Sequence, residues 1–292
     1  MPQLQQLGKD PAEIARVYNE DGFIAPIDII SKEEAKILRT DLEDAELELS
    51  DNPEKLVLLK AYPDRLLPSF DRLTRNKKLI SAASAALGPD LMVWSAGLFI
   101  KEKQSSKIVS WHQDLTYWGL DDVAETTCWV ALSKAHEFSG CMKFVPGSHK
   151  TKIVPHIDTY SDDNLLSRGQ EISVDVDENS AVVAALDAGQ ASMHHGLLFH
   201  SSGPNTTDDR RIGAAIRYIK PSMKQETGDQ PLVSLVSGVD RFGNFKIAAS
   251  PRGRLLEEDF EMCRQDKALK QRLLHWGIWG FNLPSPKPKF KS

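Results

Sequence analysis

Little in this chain points to an extracellular or membrane-bound life. It has three cysteines, Cys128, Cys141 and Cys263. They are too few and too scattered for a disulfide framework or a cysteine-rich zinc site. No apolar run reaches the roughly 18 residues that a membrane span needs. The opening stretch MPQLQQLGKDPAEIARVYNEDGF has no apolar core of the kind a secretory signal carries. Positive charge is not in excess either. The formal net charge is −5 over 292 residues, so no general affinity for nucleic acid or an anionic membrane surface is expected. The setting these features predict is a reducing cytoplasm, where ferrous iron is available.

What is present is ordinary for a globular protein, with 41% hydrophobic and 26% charged residues. Residues 1–90 read as helices. Asp10, Pro11 and Glu13 resemble an N-cap, a first-turn proline and a capping partner, and Gly22 closes that helix. Ser31 and Glu34 form a second capping box ahead of a Glu/Leu/Ala/Lys-rich run to about Ser50. Asn76 to Leu87 reads as another helix, stopped by Gly88 and Pro89. The segment LLPSF between them fits no single element. From Leu91 the pattern changes to short strands separated by Gly, Pro, Asn, Asp and Ser, which predicts a sandwich or barrel rather than a doubly wound sheet. Residues 255–278 read as helical again, and the tail PSPKPKFKS as extended. The organisation expected is one domain. It has a helical flank (1–90), a β-core (91–237) and a C-terminal helical extension (238–292).

Within the β-core, WHQD carries the chemistry. Alternate residues of a strand share a face, so His112 and Asp114 can aim at one point. A neutral imidazole and a carboxylate suit Fe(II). A single His-x-Asp triplet is weak support, and His156 with Asp158 forms a second one, which reads as solvated loop. Downstream, HSSGPNTTDDRR begins with His200. Two ligands early and one late, on neighbouring strands, would make a 2-His-1-carboxylate triad that leaves three iron positions open. 2-Oxoglutarate would fill two of them and O2 the third. The far carboxylate of 2-oxoglutarate then needs a buried planar cation. Arg211 suits that place, with Arg210 as the rival facing the other way. His194 and His195 are competitors for the third ligand position, and His149 reads as fixing a turn.

At this point the chain resembles the phytanoyl-CoA dioxygenase family. The matching pieces are WHQD followed by YWGL, VPGSHK at 145–150, HSSGPN at 200–205, Arg211 before a strand ending in RYIK, and DGFI at 21–24. The resemblance covers nearly the whole chain. It implies a double-stranded β-helix (jelly roll), mainly β with flanking helices, and it implies Fe(II), 2-oxoglutarate and O2. It also implies His112, Asp114 and His200 as metal ligands and Arg211 as the 2-oxoglutarate clamp, with Ser202 and Gln113 as further cosubstrate contacts. The chemistry implied is decarboxylation of 2-oxoglutarate to succinate and CO2 coupled to hydroxylation of a substrate. In related halogenases a small residue replaces the carboxylate. Asp114 therefore favours hydroxylation.

Strand parity speaks to the substrate. Arg211, Gly213, Ala215 and Arg217 share one face, so Arg217 also points inward. That predicts either an anionic substrate group or a buried acidic partner. Tyr117 and Trp118, with Trp94, Trp111 and Trp129 nearby, read as core or as a cage for a quaternary ammonium group. HHGLLFHSSGPNTTDDRR and GVDRFGNF are similar to the family branch that hydroxylates aminoalkylphosphonates next to phosphorus. The expectation is therefore a small molecule such as 2-aminoethylphosphonate or its N-trimethyl form. Alternatives are an acyl-CoA, a natural-product scaffold, or a non-catalytic jelly-roll module that binds a ligand. Residues 150–170, long and polar, read as a lid.

Overall fold

A computed structural model describes residues 10–166 and 168–280. The expected extended tail lies outside the described residues. The helices are α1 (Pro11–Asp21), α2 (Lys32–Glu48), α3 (Pro53–Ala61), α4 (Pro63–Leu66), α5 (Pro68–Thr74), α6 (Lys77–Leu87) and α7 (Glu257–Gly280). The strands are β1 (Phe23–Asp28), β2 (Leu91–Lys101), β3 (Val109–His112), β4 (Glu125–Ala131), β5 (Met142–Phe144), β6 (His156–Asp158) and β7 (Gln170–Ile172). They continue with β8 (Val182–Ala184), β9 (Gln190–His195), β10 (His200–Ser202), β11 (Arg211–Ile219), β12 (Leu232–Ser237) and β13 (Lys246–Ile247).

The strands form two main sheets. The larger runs β1-β9-β4-β11-β2-β12-β13 and the smaller β3-β10-β5-β8. All pairings are antiparallel except β12 with β13. This is a double-stranded β-helix, the jelly roll expected. Side-chain alternation on the larger sheet divides the interior. Ile212, Ala214, Ile216 and Tyr218 of β11 join Cys128 and Val130 of β4 and Met193 of β9 in the core beneath the helices. Ala215, Trp129 and Ala131 face the smaller sheet, where they meet Phe144, Val182 and Leu198. The helices cover the outer face and leave the space between the sheets for the site.

Local capping explains the helices that were legible. Asp10 accepts from the Ala12 N–H, and Gly22 ends α1 at φ 82°. Ser31 and Glu34 form a complete capping box on α2. Asn76 caps α6. Two features of the flanks, the strands β1 and β13, differ from expectation. The N-terminal flank is not wholly helical, because β1 joins the larger sheet beside β9. Its sequence FIAPID hides the strand, since Pro26 cannot donate to a ladder and is tolerated because β1 is an edge. The LLPSF segment spans the α4–α5 junction. The C-terminal flank also gives a strand, β13, to the sheet.

Residues 150–170 are not a free-standing loop. β6 and β7 pair as a ribbon. The ribbon's tip is pinned to the approach of β3: Ile108 N–H donates to Asp163 O at 2.7 Å, Leu165 N–H to Ile108 O at 2.9 Å, and Asn164 Nδ2 to Ser110 Oγ at 2.7 Å. On the other side, α3 and α7 are joined by the Lys55–Glu257 pair and by Arg264 Nε on Glu54 at 2.8 Å. Among the described residues, no helix is long and apolar enough to cross a membrane.

Candidate active site

The site lies between the sheets. β3 and β10 pair so that His112 and His200 face each other across the ladder, with ring centroids 4.0 Å apart. Asp114 is not a strand residue. β3 ends at His112, and Asp114 opens a short 3-10 turn. That turn brings the carboxylate to the imidazoles, with Oδ1 3.5 Å from His112 Nε2 and 4.0 Å from His200 Nε2. One donor atom from each of the three residues falls within a 4.8 Å cluster.

The two rings are held in the same way. Nδ1 of His112 lies 2.9 Å from Ser110 O, and Nδ1 of His200 lies 2.9 Å from Leu198 O. A carbonyl only accepts, so Nδ1 carries the hydrogen and the Nε2 lone pair turns to the centre. Burial, then the neighbouring imidazoles, keeps His200 well below the usual histidine range. Burial alone would raise the Asp114 carboxyl. The Arg217 guanidinium, the largest opposing influence, outweighs it and holds Asp114 well below the ordinary range. Two neutral nitrogen donors and one carboxylate on one side of a buried point fit a divalent ion such as Fe(II).

A pocket extends from this point along the larger sheet, lined by Trp129, Met142, Ser202, Arg211 and Arg217 among others. Arg211 is 2% exposed. Its Nη1 donates to Phe99 O at 3.3 Å, while Nε and Nη2 have no hydrogen-bond partner among the described residues. Burial lowers it to about 10. The guanidinium lies over the Trp129 ring, 5.2 Å from the centroid. That ring needs Gly213, where a Cβ would come within 1.8 Å of Trp129. A buried guanidinium in the same pocket as the His112–Asp114–His200 cluster fits the distal carboxylate of a keto diacid. Arg210 faces outward and pairs with Glu43, Glu46 and Glu102.

Ser202 is buried and lines the same pocket. Its Oγ accepts from Lys101 Nζ at 2.6 Å. Lys101 is itself fully buried and sits opposite Arg211 in the β2–β11 register. Burial, then Arg211, lowers it to about 6. The sequence did not single out Lys101. The signal available was a lysine closing the apolar strand LMVWSAGLFIK.

Gln113 is placed differently from expectation. Its side chain donates to Leu197 O at 2.9 Å and accepts from the Val154 N–H at 2.9 Å. It pins the chain behind the metal pair, with its amide already committed there. His156 corrects another expectation, because it is not solvated. Its Nδ1 meets Val154 O at 2.8 Å and its Nε2 accepts from the Gln113 N–H at 3.1 Å. Burial lowers it to about 4. His149 reaches across to Asn19 O at 3.3 Å instead of closing its own turn. His194 is 1% exposed and lines the same pocket, and neither ring nitrogen has a hydrogen-bond partner among the described residues. Burial first lowers it to about 4. It lies outside the three-residue cluster.

A second, larger cavity of about 600 Å³ opens from His112 and Asp114 toward α3, α7 and the ribbon. Arg217, Tyr117 and Trp118 line it. Arg217 lies between the rings of Phe99 and Trp118, 5.7 and 5.3 Å from their centroids. Its Nε is 3.8 Å from Asp114 Oδ2. Of the two readings of the aromatic residues, core or cage, the rings do not gather as a cage. Trp118 carries Arg217, Trp94 carries Lys270 at 4.7 Å, and Trp129 carries Arg211. Tyr117 donates to Asp158 Oδ1 at 3.3 Å, and Trp111 Nε1 reaches Glu178 at 3.4 Å.

A jelly roll with two imidazoles and one carboxylate at its centre, and a buried arginine one pocket away, defines a mononuclear non-haem iron oxygenase. Comparison with known proteins gives the family. Residues 18–213 match the model of phytanoyl-CoA dioxygenase, and the chain belongs to that family. It is 26% identical over 225 residues to a probable alpha-ketoglutarate-dependent hypophosphite dioxygenase of Stutzerimonas stutzeri, covering 71% of this chain and 78% of that protein. It is 24% identical over 230 residues to the peroxisomal phytanoyl-CoA dioxygenase of Bos taurus, covering 70% and 67%. Among solved structures it is similar to the non-heme monooxygenase ThoJ, with a TM-score of 0.82, 30% identity, and 91% and 99% of the two chains covered. CytC3, solved with Fe(II) and alpha-ketoglutarate, shares the fold at a TM-score of 0.63 and 20% identity, with 84% and 95% covered. The protein is a 2-oxoglutarate-dependent dioxygenase whose cofactors are Fe(II), 2-oxoglutarate and O2.

Proposed function

We propose that His112, Asp114 and His200 hold the iron, that Arg211 takes the distal carboxylate of 2-oxoglutarate, and that the enzyme hydroxylates a small organic anion held by Arg217. The observation that carries this reading is the partly unpaired, buried guanidinium of Arg211 in the pocket that begins at the triad. Iron and 2-oxoglutarate, when bound, supply the oxidant by reductive activation of O2 with release of CO2 and succinate. The residues do the rest. Nε2 of each histidine and Oδ1 of Asp114 gather on one side. Ser202 and Lys101 add polar contacts beside Arg211, and the Trp129 ring covers one face of its guanidinium. Arg217 turns its outer nitrogens toward the cavity and aims an anion at the open side of the centre.

Within the class of organic anions, the reading is a phosphonate such as 2-aminoethylphosphonate, or its N-trimethyl form, hydroxylated at the carbon next to phosphorus. Arg217 supports the anionic group, and a relative named for hypophosphite supports a phosphorus oxyanion. The rings that already carry cations weaken the N-trimethyl form relative to the free amine. A second reading is favoured by the cavity's size, because about 600 Å³ accommodates a larger natural-product acid. The experiment is succinate formation across phosphonates, size-graded carboxylates and an acyl-CoA, each with matched detection of hydroxylated product. Turnover of the phosphonates supports the first reading. Turnover confined to bulky acids or to the thioester overturns it.

A further inference from the structure

The two oxygens of Asp114 face different surroundings. Oδ1 faces His112 and His200. Oδ2 faces the larger sheet, 3.1 Å from Thr127 Oγ1, 3.8 Å from Arg217 Nε and 3.9 Å from His194 Nε2. These three residues form one rung. Thr127 pairs with Arg217 on one side and with His194 on the other.

Thr127 Oγ1 has another neighbour, Glu125 Oε1, at 2.8 Å. Glu125 is fully buried. Its other oxygen lies against Gly196, where a Cβ would come within 2.4 Å. A buried glutamate in the β4 run needs a reason, because an apolar residue there would cost no desolvation. Hydrogen counting supplies one. A hydroxyl has one proton to donate, yet Thr127 touches two carboxyl oxygens. Both contacts are hydrogen bonds only if one carboxyl brings its own proton. Asp114 lies beside the Arg217 guanidinium and is the carboxyl read as the metal ligand, so it is the acceptor. Glu125 is then the donor.

We propose that Glu125 and Thr127 are positioning residues for the metal carboxylate: the neutral Glu125 carboxyl donates to Thr127 Oγ1, and Thr127 donates to Asp114 Oδ2. Oδ2 is thereby fixed on the sheet side, and only Oδ1 is presented to the metal. Without the relay the carboxylate is free to turn and offer both oxygens, which would fill a position the cosubstrate or O2 needs. This inference rests on the reading of Asp114 as a metal ligand.

The test uses the full-length protein freed of metal and titrated with Co(II). Calorimetry reads the affinity, the visible Co(II) absorption reads the coordination, and thermal melting of the metal-free form reads the fold. Thr127→Val is expected to weaken Co(II) binding by about 10- to 100-fold and to shift the visible band, with a wild-type melting point. Glu125→Gln keeps an N–H donor for Thr127 and is expected to retain the wild-type band and affinity. Glu125→Leu is expected to match Thr127→Val. A folded Thr127→Val with wild-type affinity and band overturns the relay. So does a Glu125→Gln variant that loses both. If Glu125→Leu does not fold, those two variants still decide. Asp114→Ala separates the two levels: unchanged Co(II) binding there removes the metal assignment itself, whereas a loss there with silent relay variants removes the relay alone.

Discussion

Arg210 and Arg211 are adjacent in sequence and opposite in role. Arg210 is locked into a surface network with Glu43, Glu46 and Glu102. Arg211 is buried with nitrogens to spare. Arg211→Ala is expected to raise the 2-oxoglutarate requirement on the order of 100-fold, through loss of a bidentate charge-assisted pair. Arg210→Ala is expected to leave it unchanged. Steady-state kinetics with varied 2-oxoglutarate checks both. Asp114→Ala is expected to remove nearly all hydroxylation, measured as product per mole of succinate. Ordered motifs drew attention to His112, Asp114, His200 and Arg211, and the structure gathers the first three at one point. Lys101, Glu125 and Thr127 were not recognised, since their placement comes from register across neighbouring strands, which one sequence does not display.

The strands show how a single small residue can hold a site open. Gly213 leaves room for the Trp129 ring, and the ring supports Arg211. Gly213→Ala is expected to cost about 1–3 kcal/mol in stability and also to raise the 2-oxoglutarate KM, because displacing the ring displaces the guanidinium. Chemical denaturation and kinetics on the same variant check the two effects. A stability loss with unchanged KM would show that Trp129 does not position Arg211. Among the elements, capped helices were readable from local signals and the parity of β11 was readable from alternation. The strand β1 was not, because Pro26 masks it. The turn at Asp114 was read as strand, and Gln113 was read as facing a ligand. A two-residue spacing looks the same whether the backbone continues or bends.

For the molecule as a whole, buried neutral histidines set a pH limit. His156, His194 and His195 are each lowered to about 4, in every case first by burial. An unfolded histidine titrates near 6.5. Between these values the unfolded chain binds more protons than the folded one, so stability falls as pH drops from about 6.5 toward 4. The metal-free protein is expected to lose on the order of 5 °C or more of melting temperature over that window. A flat profile would mean these rings are protonated in the fold. At pH 7, saturating metal is expected to add about 2.7 kcal/mol when present at a hundred times its Kd, read as a rise in melting temperature that chelation reverses.

The larger cavity has walls of two different origins. Its floor belongs to the strand and turn that carry His112 and Asp114, whereas Val57, Lys60 and Ala61 come from α3 and Lys270 and Leu273 from α7. Substitutions on two helices drawn from opposite halves of the chain would thus reshape the cavity without touching the strands beneath it. A lineage could change its diet by rewriting the outer wall and leave the furnace untouched.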